Sequence, residues 1–310
     1  MAIINGVGQS FATIDKQDGL NKYMCVHMKI VDSIFNRWPN WPKDKNYYYI
    51  DCTAGSGVNQ DVDEDGSPVV FINRINKTNM MYKAYFIDEV EGNISSLRQR
   101  IQNSNCEFMC GNHNEVVPQL LRNFTGQEYG LFYMDMNGIP NFELLSIVSE
   151  KMSKMDILVR CPSGAIKRDR CRNGSLRESL IESVKKIHKE KLILREPLIS
   201  DRWQWTFLFL TNYTKMSDWK NARFYWSNSH EGQEILSRLN YSKNEIDELN
   251  ELKEKPNTEA KKRNSGKCEI CNINFATEIH HRKGTYNLFD PENRIHICHE
   301  CHCKLEGKNE

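Results

Sequence analysis

Short apolar runs separated by polar, helix-prone stretches recur through the first half of the chain. Residues 47–51 (YYYID) read as a strand running into a small-residue turn, Cys52 to Gly57. Residues 82–88 (YKAYFID), 106–110 (CEFMC), 130–134 (GLFYM) and 155–160 (MDILVR) read as four further strands. Helical stretches are expected from Glu91 to Gln102 and from about Glu115 to Asn123. Strands alternating with helices imply βαβ units and a parallel sheet. The expected fold class is therefore α/β, a Rossmann-like doubly wound sheet. Beyond residue 160 the pattern changes. Residues 175–191 look helical, and 203–212 (WQWTFLFLTN) read as a strongly apolar strand whose Trp203, Trp205 and Phe207 belong to a core. Residues 230–255 are polar and helix-prone. A Lys/Glu/Asn-rich stretch without an apolar face reads as a linker. The expected layout is a Rossmann-like domain with an N-terminal extension over 1–245, a linker over 246–265 and a compact Cys/His module over 266–310.

A length of 310 residues suits one large core plus something small. The formal net charge is only +1, so nucleic-acid binding would depend on local basic patches. The opening stretch lacks the basic start and apolar core of a signal peptide, and no apolar run approaches a membrane span. A cytoplasmic location without a membrane is expected. Eleven cysteines in that setting argue for reduced thiols and metal binding rather than disulfides.

The C-terminal spacing carries chemistry. Cys268-x-x-Cys271 and Cys298-x-x-Cys301 supply the four soft ligands of a tetrahedral zinc site. Between the pairs stand His280, His281 and Asn293, and His302 follows the last cysteine. That order, in CEICNINFATEIHHRKGTYNLFDPENRIHICHECHCKLEG, resembles the zinc-containing HNH endonuclease family over residues 268–307. The resemblance implies a ββα-metal fold, a β-hairpin and a helix around one catalytic divalent cation, Mg²⁺ or Mn²⁺. It implies that His280 and His302 hold that cation, that His281 is the general base activating water, and that Asn293 braces the loop. The chemistry is coherent: the cation stabilises charge on the scissile phosphate, and an imidazole takes a proton near neutral pH. Without the cation, the same module would be a structural zinc knuckle. His296 and His299 read as bystanders, and Cys303 lies outside the knuckle spacing.

In the first domain, Asp51-Cys-Thr-Ala54-Gly55-Ser56-Gly57 follows a strand. Small residues there allow close backbone approach to a ligand at the sheet's carboxyl edge. The loop has the shape of motif I in class I S-adenosylmethionine (SAM) methyltransferases. That likeness implies SAM as cofactor, with Asp88 on the ribose hydroxyls, Asn112 near the adenine and Asp135 at the reaction site. The series DCTAGSG, Gly66-Ser67-Pro68, FIDEV, GNHNEVVPQLL and YMDMNGIP resembles the three-Cys-motif partner (TcmP) family over residues 45–240. A three-Cys-motif protein is then an expected partner. The chain departs from that family in carrying Asn112 in place of an acid and Asp-Met-Asn in place of Asp-Pro-Phe. It has neither an Asn/Asp-Pro-Pro-Tyr motif nor a Pro-Cys nucleophile after the fourth strand, so the methyl acceptor stays open.

The segment 160–177 is strongly basic, and Lys167, Arg168, Arg170 and Arg172 are candidates for phosphate contacts. A solvated basic loop is the alternative. Three functions compete. The first is a methyltransferase-like domain joined to an HNH nuclease, acting on nucleic acid (DNA before RNA) in phage, mobile-element or defence biology. The second is a non-catalytic partner protein that senses a nucleotide or binds DNA. The third is a DNA- or tRNA-modifying methyltransferase whose zinc module positions substrate.

Overall fold

The computed structural model describes residues 12–37, 45–59, 64–136, 138–162, 180–196, 198–200, 203–213, 223–238, 257–285 and 294–305. The chain divides into two units, Met1–Asn240 and Tyr241–Glu310.

The first unit's sheet is explained by its first strand. β1 (Tyr47–Asp51) is buried at every position, as a parallel strand covered on both faces must be. Tyr47 and Tyr49 pack into one core, where Phe71 stacks on Tyr49 with ring centroids 4.1 Å apart. Tyr48 and Ile50 pack into a second core on the other face. β2 (Val58–Asn59) and β3 (Glu64–Asp65) form a small antiparallel pair. The main sheet contains β4 (Tyr82–Asp88), β5 (Cys106–Cys110), β6 (Tyr129–Met134), β7 (Met155–Pro162), β8 (Lys191–Arg195), β9 (Leu198–Ser200), β10 (Trp203–Thr211) and β11 (Phe224–Trp226). Its order is β11-β8-β10-β7-β6-β1-β4-β5, with β9 paired to β10. β5, β4, β1, β6 and β7 are mutually parallel. β10 runs antiparallel between β7 and β8. A mostly parallel sheet that reverses its order at β1 and takes the reversed strand β10 between β7 and β8 is the class I methyltransferase-like, Rossmann-like arrangement.

Helices cover both faces. α1 (Ala12–Arg37), α2 (Ser67–Ile75) and α3 (Glu91–Arg100) place Leu20, Tyr23, Phe71 and Leu97 in the first core. α4 (His113–Leu120), α5 (Phe142–Lys151), α6 (Leu180–Lys185) and α7 (His230–Arg238) place Val117, Leu145, Val184 and Ile235 in the second. α1 is fastened through its centre: His27 lies 2.7 Å from the Tyr47 hydroxyl and 3.0 Å from Asp156.

The elements differ from the sequence pattern in several places. α1 was not expected; its core positions Leu20, Tyr23, Met24, Met28, Val31 and Phe35 keep helical spacing but are diluted by polar neighbours. The helix after β5 starts two residues early, because Asn112 caps it by accepting from Asn114 N–H, and it ends in a 3₁₀ turn over Leu121–Asn123. The stretch read as helix to residue 191 gives only α6 among its described residues, followed by β8, a short apolar strand that β10 and β11 flank. Trp205 and Phe207 are core residues, as their alternation suggested. Among the described residues no helix is long and apolar enough to cross a membrane.

The second unit holds the antiparallel pair β12 (Glu278–Thr285) and β13 (Arg294–Ile297), followed by α8 (His299–Leu305). Its core comprises Cys268, Ile295, Ile297, Cys298 and Cys301, with Cys271 against it. Residues 257–262, within the stretch read as linker, are helical, and Ala260 is fully buried.

Candidate functional site

β1 sits where strand order reverses, the place at which ligands enter doubly wound sheets. A cavity of about 490 Å³ opens there. The turn after β1 forms one wall. Gly55 and Gly57 both adopt left-handed backbone, φ +62° and +81°, and a Cβ on Gly57 would meet Leu97 at 2.6 Å. Asp88, at the end of β4, locks the turn: its carboxylate accepts from Gly55 N–H at 2.9 Å, Val90 N–H at 3.0 Å and Asn93 Nδ2 at 2.9 Å. Ala54, Gly55, Ser56, Gly57 and Asp88 all line the cavity.

Asp51 lies behind the loop rather than in the cavity lining. It is fully buried and accepts from Thr53 N–H at 3.1 Å and from the Tyr49 hydroxyl at 3.2 Å. Burial pushes its carboxyl up to about 7, with the charge of Asp135 adding to the rise, although hydrogen bonds from Ser67 and Thr53 pull it down. An acid whose folded value lies above its unfolded one loses stability as pH climbs between the two. Asp51 should therefore cost the first unit stability between about pH 4 and 7, at up to ~1.4 kcal/mol per pH unit. Asp51→Asn is expected to flatten that slope in thermal melts across the same window; an unchanged slope would place the titration elsewhere.

Asp135, beyond β6, also lines the cavity. Its oxygens meet Lys16 Nζ at 2.7 Å and Arg160 at 3.3 Å, and its N–H donates to Thr53 Oγ1 at 2.8 Å. Burial raises its carboxyl, but Lys16 and then Arg160 outweigh that and hold it below the ordinary carboxylate range. Arg160 also lies over the Trp205 ring, 5.3 Å from its centroid. An anion clamped by two cations is a poor base, but it stays ionised and keeps lone pairs that can accept from a donor N–H.

Two cavity-lining polar atoms are buried without a hydrogen-bond partner: Gln17 Oε1 and His113 Nε2. Burial also lowers the His113 imidazole, against the charge of Glu89. Unmet buried polar atoms are unusual, and a polar ligand in the cavity would satisfy them. Asn112 is exposed and caps α4; the neighbouring His113 lines the cavity instead. Lys16 and Gln17 escaped the sequence reading because α1 did. Lys167, Arg168, Arg170 and Arg172 lie outside the described residues.

In the second unit the sulfurs of Cys268, Cys271, Cys298 and Cys301 all lie within 4.8 Å of one another. A tetrahedron with Zn–S bonds of ~2.3 Å needs sulfurs about 3.8 Å apart, so the set fits zinc. Burial raises the Cys268 thiol, but the backbone N–H groups of Cys271, Cys298 and Ile270 bring it down to about 6, ready to bind as thiolate. Beside this cluster the rings of His280 and His302 stand 5.1 Å apart, centroid to centroid. Imidazole nitrogens are donors that suit a divalent transition ion better than Mg²⁺. Glu278, which the sequence reading passed over, contacts both His299 and His302. His281 follows His280 on β12, in register with Arg294; Asn293 lies outside the described residues. His296 is buried by its neighbours, and burial lowers its imidazole.

No family model matches the chain, and no curated protein matches it. Solved structures do. A Legionella pneumophila protein is similar at 14% identity and TM-score 0.43, over 72% of this chain and 91% of that one. A Streptococcus mutans protein solved in complex with SAH is similar at 14% identity and TM-score 0.36, over 66% and 99%. An rRNA methylase from Streptococcus thermophilus is similar at 13% identity and TM-score 0.34, over 66% and 99%. The strand order, rather than these distant likenesses, fixes the fold.

Proposed function

We propose that the first unit binds SAM at the β1–β4–β6 edge and methylates a nucleic acid, and that the second unit is a metal-dependent HNH endonuclease. The observation that carries the first half is the cavity itself, where the left-handed Gly55–Gly57 turn, Asp88 and the unmet Gln17 and His113 atoms converge. SAM bound there would supply an electrophilic methyl group. Residues 54–57 let the ligand approach the backbone closely, and Asp88, already fixed by three donors, presents its remaining lone pairs to ribose hydroxyls. Asp135, held ionised by Lys16 and Arg160, would accept an N–H from the methyl acceptor and orient it. Basic residues Lys167, Arg168, Arg170 and Arg172 would contact phosphates. The zinc cluster would hold the second unit together, with His280 and His302 gripping the catalytic ion. DNA as substrate, a three-Cys-motif partner and a role in phage or mobile-element defence follow from the sequence resemblances.

A second reading, cofactor binding without transfer, is favoured by the clamp on Asp135, whose charge is satisfied within the protein. Calorimetry tests the part common to both. SAM or its demethylated product should bind the full chain. Asp88→Ala should weaken binding by about tenfold or more, since hydrogen bonds to a charged group are worth roughly 1.5–3 kcal/mol, and Gly55→Trp should do so by filling the approach. No heat and no thermal shift with SAM, while another nucleotide gives both, would overturn the cofactor. Radiolabelled SAM incubated with DNA and RNA then separates transfer from retention.

A further inference from the structure

Glu278 opens β12 and faces α8 with both oxygens engaged. Oε1 lies 2.5 Å from His299 Nδ1, and Oε2 contacts His302 Nδ1. A carboxylate only accepts hydrogen bonds, so each Nδ1 in contact with it carries the proton. In a neutral imidazole the lone pair then sits on Nε2, and a metal ligand needs that lone pair. His299 is tied at its other nitrogen as well, with Cys303 Sγ 3.5 Å from Nε2. It is 66% exposed, against 22% for His302. His299 thus braces the carboxylate, while His302 faces His280 across a 5.1 Å ring separation. With both oxygens on imidazoles, Glu278 is placed to support a ligand rather than to be one.

We propose that Glu278 is a positioning residue for the ion held by His280 and His302, fixing His302 as the Nδ1–H tautomer so that Nε2 is the metal-binding atom. This rests on the metal reading of the second unit given above. A carboxylate behind a metal-bound histidine fixes the ring and raises its basicity, and losing one typically costs about 10- to 100-fold in metal affinity. The sequence pattern hides the residue because Glu278 precedes the His280-His281 pair and belongs to no ligand spacing.

The test uses the full, zinc-loaded chain with Mn²⁺ as probe, followed by electron paramagnetic resonance, and nitrogen-15 spectra of the histidine rings before Mn²⁺ is added. Wild type should bind Mn²⁺ and show His302 as the Nδ1–H form. Glu278→Ala should bind Mn²⁺ roughly 10- to 100-fold more weakly and lose the tautomer preference, with zinc content unchanged. Equal Mn²⁺ affinity and an unchanged tautomer in that variant overturn the positioning role alone. A wild type that binds no Mn²⁺ overturns the metal reading and this inference with it. Should Glu278→Ala lose its zinc, Glu278→Gln decides: it keeps the shape without the charge, and Mn²⁺ affinity equal to wild type overturns the inference.

Discussion

Cys268→Ser should strip zinc from the protein and unfold residues 257–305, with the melting of the first unit unchanged. The expected size follows from how little else holds the second unit. Its described core is four cysteines, Ile295 and Ile297, plus the buried Ala260. Burying an isoleucine contributes about 1.5–3 kcal/mol, whereas ordering the backbone costs about 1–2 kcal/mol per residue. Two isoleucines cannot order a hairpin, a helix and a knuckle. Structural zinc contributes on the order of 10–16 kcal/mol in small modules, enough to change that balance. Cys268 is also the innermost sulfur, fully buried, and its partner amides from Ile270, Cys271 and Cys298 already favour the thiolate. Serine in its place offers those amides a neutral hydroxyl and the ion a hard, weak ligand. Elemental analysis should find about one zinc per wild-type chain and none in the variant, and limited proteolysis should cut within 257–305 only in the variant or after chelation. A zinc-free wild type that resists protease over the same residues would remove metal from the account of folding.

The sheet was legible where burial on both faces makes strands read as unbroken apolar runs. YYYID, YKAYFID and MDILVR declare themselves, and the glycines after β1 mark the turn that needs left-handed backbone. α1 was not legible. Its core positions keep helical spacing, but Gln17, Asp18, Lys22 and Lys29 interrupt the run, and Gln17 and His27 are buried polar residues that a pattern reading places outside. The loss mattered for the cavity, because α1 brings Lys16 to Asp135 and Gln17 to the lining. Such a pair has no local signature; only the tertiary fold sets Lys16 beside a carboxylate over a hundred residues away in sequence. The cysteine cluster is the opposite case. The paired C-x-x-C spacing picks out the four sulfurs that the structure brings together, whereas Glu278 meets His302 through side-chain direction, which no spacing encodes. Asn112 shows a third limit: the residue at a motif position can serve the helix, as a cap, while its neighbour takes the cavity.

The cut itself carries the last prediction. If the second unit is an HNH endonuclease, His281→Ala should abolish Mn²⁺-dependent cleavage of DNA by the full chain while leaving zinc content and DNA binding close to wild type. A general base acts only in the chemical step, and removing one typically costs ~10²–10⁴ in rate. His302→Ala should lose activity for a different reason. His302 stands opposite His280 at 5.1 Å between rings and would be half of the protein's grip on the ion. Raising Mn²⁺ should therefore restore part of the His302→Ala activity, since the remaining ligands can still be saturated, and none of the His281→Ala activity, since saturation supplies no base. The donor set also orders the metals: two imidazoles favour Mn²⁺ over Mg²⁺, so half-maximal activity should need less Mn²⁺. The contrast between the two variants is the decisive reading. Rescue of both by Mn²⁺ would make His281 a ligand rather than a base. Equal traces of cleavage from wild type and His281→Ala, across Mn²⁺, Mg²⁺, DNA and RNA, would leave the four cysteines as a scaffold and give the lead to the non-catalytic reading.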